Sequence, residues 1–334
     1  MAHVAIVGAG AWGTALARLV SARGDPATLW TVDPAHAQKM LGTRGNADFF
    51  PGFLLDDAIR PTSDLTEALS NADLVVFALP TRAFRSVLEQ AGPALPNGVP
   101  LVSATKGIEN DTLLLMTEVM SDVLGERAAA TAAALSGPSF AREVGLGMPT
   151  NVVVAANHLE VAQQVQRRFS TERFRVYTSD DLLGVQLGGA LKNVIAIAAG
   201  VCDALGFGHN SRAALITRGI AEMTRLAVRR GANPLTLSGL AGVGDLVLTC
   251  TGELSRNRTV GYELGRGASL PSILEGLGHV AEGVPTTRSA YDLARRLGVD
   301  MPITAEVFKV LFEDKAPLDA LRDLVGRPLR GELD

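Results

Sequence analysis

Residues 8–13 read Gly8-Ala9-Gly10-Ala11-Trp12-Gly13, a GxGxxG run that follows an apolar stretch at residues 3–7 and opens the helix-like Thr14-Ala15-Leu16-Ala17-Arg18-Leu19. Few backbone paths satisfy three glycines at that spacing between a strand and a helix. The first permits a tight turn, the second lets the chain approach a pyrophosphate, and the third lets helix and strand pack closely. The N–H groups at the helix start then supply an anion site. The context predicts a Rossmann-type beginning that carries a dinucleotide, against the alternative of a glycine-rich turn with no ligand.

From residue 3 to about 177, short β-branched runs alternate with longer amphipathic segments, as expected for a doubly wound parallel sheet with crossover helices. Strands are expected at residues 3–7, 28–32, 74–78, 101–104, 131–135 and 151–155, with 174–177 closing the set. After about residue 179 apolar residues recur at helical spacing through 182–204, 213–229, 270–277, 286–297 and 303–312. The chain of 334 residues exceeds one ordinary core. Two domains are therefore expected, a dinucleotide-binding Rossmann domain over residues 1–180 and an all-helical substrate domain over residues 181–334, joined without a flexible linker.

Asp33 ends the second expected strand, where a carboxylate accepts hydrogen bonds from the adenosine ribose hydroxyls. It favours NAD and would repel the 2′-phosphate of NADP; Lys39 and Arg44 are the nearby cations that could receive that phosphate. A turn residue before Pro34 is the alternative reading.

Three further groups carry candidate chemistry. Lys106, in Ser103-Ala104-Thr105-Lys106-Gly107, follows a strand end, where open α/β sheets place their ligand crevice. Ser136-Gly137-Pro138-Ser139 follows another strand end, before Phe140-Ala141-Arg142-Glu143. Each alone also reads as a surface lysine or a helix cap. Lys192 is more unusual, because Leu187-Gly188-Gly189-Ala190-Leu191-Lys192-Asn193-Val194-Ile195-Ala196 is otherwise suited to burial. Desolvation would lower its pKa and make it a usable general acid or base, unless it snorkels to a domain edge. Asp245 and Thr249 lie one turn apart if their stretch is helical and could hold Lys192, or Asp245 could cap its own helix. Ser255-Arg256-Asn257-Arg258 offers a hydroxyl, a guanidinium and an amide suited to phosphate, or a basic pair beside a turn.

Composition narrows the remaining classes. The chain is 47% hydrophobic with a formal net charge of -4, so nothing attracts nucleic acid or anionic membrane in general. The two cysteines, Cys202 and Cys250, lack CxxC spacing and suit a reducing cytoplasm. The N-terminus reads as a strand rather than a signal peptide, and the apolar stretch at residues 194–202 is too short to cross a bilayer. The histidines, including His279, show no metal-binding spacing, and no nucleophile elbow appears, so neither a metal nor acyl transfer is expected.

In order, GAGAWGTALA, NADFFPG, SATKGIE, SGPSFAREV, LGGALKNVIAIAAG, NSRAALITRG, GLAGVGDLVLTCTGELSRNR and HVAEGV form a set that resembles bacterial-type NAD(P)-dependent glycerol-3-phosphate dehydrogenase, from His3 to about residue 302. The resemblance implies a Rossmann domain followed by a helical one, interconversion of sn-glycerol 3-phosphate and dihydroxyacetone phosphate, supply of glycerol 3-phosphate for glycerophospholipid synthesis, and a cytoplasmic homodimer. Lys192 matches the proton-transfer lysine and Thr249 a threonine that supports it. Lys106, Gly137, Ser139, Asp245, Ser255, Arg256 and Asn257 match substrate positions, with Arg256 and Asn257 nearest the phosphate. Ala11, Trp12, Asp33, Lys106, Ala141, Arg256, Val280 and Glu282 match cofactor positions beside Gly8, Gly10 and Gly13. Asp33 departs from the basic residue common in bacterial members, Ala11 from serine and His209 from aspartate. A β-hydroxyacid or 6-phosphogluconate-type dehydrogenase, and a non-catalytic NAD-sensing module, are the competing readings.

Overall fold

A computed structural model of the chain describes residues 2–278, 280–329 and 331–332; His279 lies outside them. Ten strands form: β1 (Val4–Val7), β2 (Ala27–Trp30), β3 (Gly45–Asn46), β4 (Phe50–Leu54), β5 (Ile59–Thr62), β6 (Leu74–Phe77), β7 (Leu101–Ser103), β8 (Ala132–Ser136), β9 (Thr150–Ala156) and β10 (Phe174–Ser179). Eight make one sheet in the order β10-β9-β8-β7-β6-β1-β2-β5, and β3 pairs with β4 separately. Strands β1, β2, β6, β7 and β8 are buried along their whole length, as expected of strands covered on both faces. Chain order reverses at β1, which lies between β6 and β2, so the crevice at the carboxyl end of β1 is the topological switch point.

All seven strands read from the sequence are present, and two features differ. Strand β9 runs antiparallel to β8, although every other pair in the large sheet is parallel. A parallel return needs a crossover long enough to travel back along the sheet. The link between β8 and β9 carries only the five-residue helix Ala141–Gly145, so the chain turns back instead. Three short strands, β3, β4 and β5, were not read from the sequence; in the large sheet this is β5, which contains Pro61, a residue tolerated at a sheet edge, where β5 lies.

Beyond Ser179 the described residues form helices only. The central one, Leu182–Ala204, starts where Asp181 Oδ1 accepts the Gly184 N–H at 2.8 Å. Its most apolar stretch, residues 194–202, is by itself too short to cross a bilayer. The helix in fact has 23 residues and enough hydropathy to span a bilayer, but 94% of that apolar window is buried inside the protein, which makes it a core helix. Around it pack His209–Arg229, Asp245–Thr251, Arg256–Gly265 and Gly283–Leu297.

The tightest of these crossings is with Arg256–Gly265. A Cβ on Gly200 would sit 2.0 Å from the Arg258 carbonyl oxygen, and one on Gly261 would sit 1.9 Å from that of Ile197. Two missing side chains thus let the backbones touch. Gly261→Ala should cost about 1–3 kcal/mol of stability through overpacking, whereas Gly276→Ala, where a Cβ meets nothing within 4 Å, should cost nothing. Urea midpoints of the two variants check this.

Candidate active site

Two lysines from opposite sides of the cleft meet on one carboxylate. Lys192 Nζ donates to Asp245 Oδ1 at 2.6 Å and to Thr249 Oγ1 at 2.7 Å, while Lys106 Nζ donates to Asp245 Oδ2 at 2.7 Å and to the Gly137 carbonyl at 3.0 Å. Lys106 comes from the loop after β7, and Lys192 comes from the middle of the central helix. Lys192, Asp245 and Thr249 are all buried, and Lys106 is half-buried. The snorkelling and surface-lysine alternatives therefore do not describe these two residues.

Local sequence explains the placement. Asp245–Thr251 is helical, so Asp245 and Thr249 share a face, and the Thr249 hydroxyl donates to the Asp245 carbonyl at 2.6 Å. Just before it, Leu240–Gly244 forms a π-helical turn pressed on the central helix, where a Cβ on Gly188 would lie 2.4 Å from the Ala241 carbonyl oxygen. Asp245 does not cap its helix; its carboxylate is committed to the two lysines. Burial pushes the Lys192 amine down to about 8, with Asp245 pulling it up and the neighbouring Lys106 pushing it further down.

The phosphate-facing candidates divide. Ser255 is the N-cap of Arg256–Gly265, its Oγ accepting the Arg258 N–H at 3.2 Å. Asn257 is also engaged: its amide donates to Asn193 Oδ1 and its oxygen accepts the Gly283 N–H, both at 2.8 Å. Arg256, by contrast, is exposed and makes no hydrogen bond or ion pair among the described residues. Ser139 Oγ donates to the Gly137 carbonyl at 2.9 Å, within the turn that positive φ at Gly137 permits.

On the nucleotide side, Gly8 has φ of 123°, and a Cβ there would lie 2.4 Å from the Ala78 carbonyl oxygen; one on Gly13 would lie 1.9 Å from that of Gly8. Gly10 differs, since a Cβ meets nothing within 4 Å, and no side chain caps the Ala11–Ser21 helix behind it. That open, uncapped helix start fits a pyrophosphate. Ala11, Trp12 and Ala141 are half-buried around it. Asp33 caps Pro34–Thr43 through Oδ1, which accepts the Ala35 N–H at 2.9 Å. Both cations that could receive a 2′-phosphate are occupied: Lys39 pairs with Asp48 at 2.6 Å, and Arg44 bonds the carbonyls of Leu55, Asp56 and Ile59.

Val280 is half-buried in the loop that also carries Glu282, whose carboxylate accepts the Thr81 N–H at 3.1 Å and the Thr81 hydroxyl at 2.7 Å. Burial pushes this carboxyl up from its ordinary range, while Thr81 and Arg256 pull it back. The sequence reading missed Thr81, for which the Pro80-Thr81 pair after a strand was the available signal, and Asn193, an amide in an apolar helix beside Lys192.

A Rossmann sheet with an open glycine turn, whose Lys106 loop meets a buried, helix-borne lysine on one carboxylate, points to a nicotinamide-dependent dehydrogenase. The N-terminal profile of NAD-dependent glycerol-3-phosphate dehydrogenase matches residues 3–162 and the C-terminal one matches residues 181–322. Relatives named glycerol-3-phosphate dehydrogenase [NAD(P)+] include that of Syntrophotalea carbinolica, 52% identical over 99% of this chain and 100% of its own length. That of Geobacter sulfurreducens is 54% identical over 99% of this chain and 98% of its own. The crystal structure of glycerol-3-phosphate dehydrogenase from Coxiella burnetii superposes with a TM-score of 0.93 at 37% identity, covering 98% of this chain and 99% of that one. The chain belongs to the NAD-dependent glycerol-3-phosphate dehydrogenase family. This favours the first reading above over the β-hydroxyacid-type and sensing-module alternatives.

The electrostatics of the cluster can be titrated directly. NMR of the lysine side chains should show Lys192 deprotonating near pH 8, ahead of the exposed lysines. Asp245→Asn should lower that midpoint, and Lys106→Met should raise it.

Proposed function

We propose that this protein interconverts sn-glycerol 3-phosphate and dihydroxyacetone phosphate, with Lys192 as the proton-transfer group and NAD(H) as the preferred cofactor. The observation that carries this reading is the buried Lys192 amine, held by Asp245 and Thr249 and facing Lys106 across the cleft. The glycine turn, Asp33, Lys106, Ala141, Val280 and Glu282 would hold the dinucleotide, which when bound supplies or accepts the hydride at C2. In ketone reduction the Lys192 ammonium gives a proton to the C2 oxygen and is left as the neutral amine; in alcohol oxidation that amine takes the hydroxyl proton.

An amine near 8 serves both directions around neutral pH. Asp245 keeps it oriented, and Lys106 adds positive charge beside the carbonyl oxygen as it becomes more negative. Arg256 has a guanidinium without a hydrogen-bond partner among the described residues, at the start of a ten-residue helix, a combination suited to a phosphate dianion. Ser255 and Asn257 support it from behind, each with one further hydrogen to donate. Held by its phosphate, the three-carbon substrate gains its orientation from a remote group.

Cytoplasmic location and a homodimer belong to the same proposal. The buried free thiols of Cys202 and Cys250 support a reducing compartment, and sedimentation equilibrium tests the dimer.

Lys192→Met should cut turnover by about 10²–10⁴-fold while NADH still binds; full turnover would remove Lys192 from the chemistry. In the reductive direction kcat/KM should fall above an apparent pKa near 8, as Lys192 loses its proton, and in the oxidative direction it should rise through the same pH. Asp33 with Lys39 and Arg44 engaged elsewhere should make NADH better than NADPH by about tenfold or more in kcat/KM, a difference of roughly 1.4 kcal/mol. Asp33→Ser should narrow the ratio.

A further inference from the structure

A buried polar chain runs beneath the glycine turn, and none of its members belongs to the site described above. Asn46, from strand β3, donates through Nδ2 to the Ala9 carbonyl and to Thr14 Oγ1, both at 2.8 Å. Thr14 in turn donates to the Gly10 carbonyl at 2.9 Å. On the other side His36 Nε2 lies 2.9 Å from Asn46 Oδ1, and His36 Nδ1 lies 3.3 Å from Thr31 Oγ1. Thr14, Thr31, His36 and Asn46 are all buried.

The partners fix the proton positions. Both Nδ2 hydrogens of Asn46 are spent on oxygens, so its Oδ1 must accept, and His36 carries its proton on Nε2. The Nδ1 lone pair then takes the Thr31 hydroxyl. Two consecutive carbonyls of the glycine turn, those of Ala9 and Gly10, are thereby held on the inner side. A trans peptide unit is planar, with its N–H opposite its C=O, and the described residues contain no cis bond. The N–H groups of Gly10 and Ala11, which share those two peptide units, therefore point opposite to the held carbonyls of Ala9 and Gly10.

We propose that Asn46, braced by His36, is a positioning residue for the dinucleotide: it sets the peptide planes of the glycine turn so that the N–H groups of Gly10 and Ala11 address the pyrophosphate. The chain also reaches Thr31, two residues before Asp33, and so ties the pyrophosphate end of the site to its ribose end. The inference rests on the pyrophosphate lying over Gly10, as in the proposed function.

Steady-state kinetics of dihydroxyacetone phosphate reduction, with NADH titrated by fluorescence in parallel, test it. Asn46→Ala should raise the NADH Kd and KM about tenfold, the effect of losing one or two oriented hydrogen bonds. At saturating NADH, kcat and the substrate KM should stay within about twofold, because the reacting groups are untouched. Should Asn46→Ala fold poorly, Thr14→Val, which keeps shape but loses the hydroxyl, should raise the NADH KM in the same direction, and Thr14→Ser should restore it. Folded Asn46 and Thr14 variants with parental NADH affinity, or with kcat falling at constant NADH KM, overturn the proposal. Gly10→Ala separates the two layers. Its Cβ has room in the protein alone, so weakened NADH binding at unchanged Tm upholds the pyrophosphate placement even if the Asn46 variants behave as parent. Unchanged binding in Gly10→Ala removes that placement and this inference with it.

Discussion

The carboxylate of Asp245 is the constraint on which the cleft depends. It sits fully buried with one ammonium on each oxygen, Lys192 from the helical side and Lys106 from the sheet side. A lone carboxylate or ammonium at that depth would be costly, and removing one member of such a cluster costs far more than the cluster is worth in net stability. Two cations against one anion leave a surplus positive charge. That surplus suits an anionic substrate and, together with burial, keeps the Lys192 amine easier to deprotonate than an exposed lysine.

Most of this arrangement was legible where a residue type conflicted with its surroundings. Lys192 stood out as a charge in an apolar helix, and Asp245 with Thr249 as two polar groups one helical turn apart. The glycine turn was legible because its spacing between a strand and a helix admits few backbone paths. What stayed hidden depends on distant pairings. Lys106 and Asp245 lie far apart in sequence, and nothing local indicates that they touch. The Arg256–Gly265 helix was missed for a related reason. Gly261 lowers helix propensity, and its justification, backbone contact with Ile197, exists only after folding. Asn46 stood only inside the NADFFPG motif and His36 only among histidines without metal spacing; that the two meet beneath the glycine turn is a tertiary fact.

The phosphate candidates show the same limit from the other side. Sequence placed Ser255, Arg256 and Asn257 in one adjacent set, with Arg256 and Asn257 expected nearest the phosphate. The fold gives them different tasks: Ser255 caps, Asn257 fastens the Gly283 backbone to Asn193, and Arg256 alone makes no hydrogen bond among the described residues. Adjacency on a helix start places side chains in different directions, so one contiguous motif supplies both frame contacts and an exposed guanidinium.

The reversed strand pair at the end of the sheet has a geometric result. Because β9 runs against β8, and β10 runs with β9, the chain leaves β10 at the sheet's lower rim, opposite the rim where β1 and β8 finish. The central helix must then climb back. Ten residues of α-helix rise about 15 Å, close to the roughly 16 Å span of a five-residue strand. Lys192 therefore arrives level with the upper rim, where a Cβ on neighbouring Gly189 would lie 2.5 Å from the Ser136 hydroxyl at the tip of β8. Had the last two strands kept the common direction, the helix would have begun at the upper rim and carried its amine a full sheet height past the Lys106 loop.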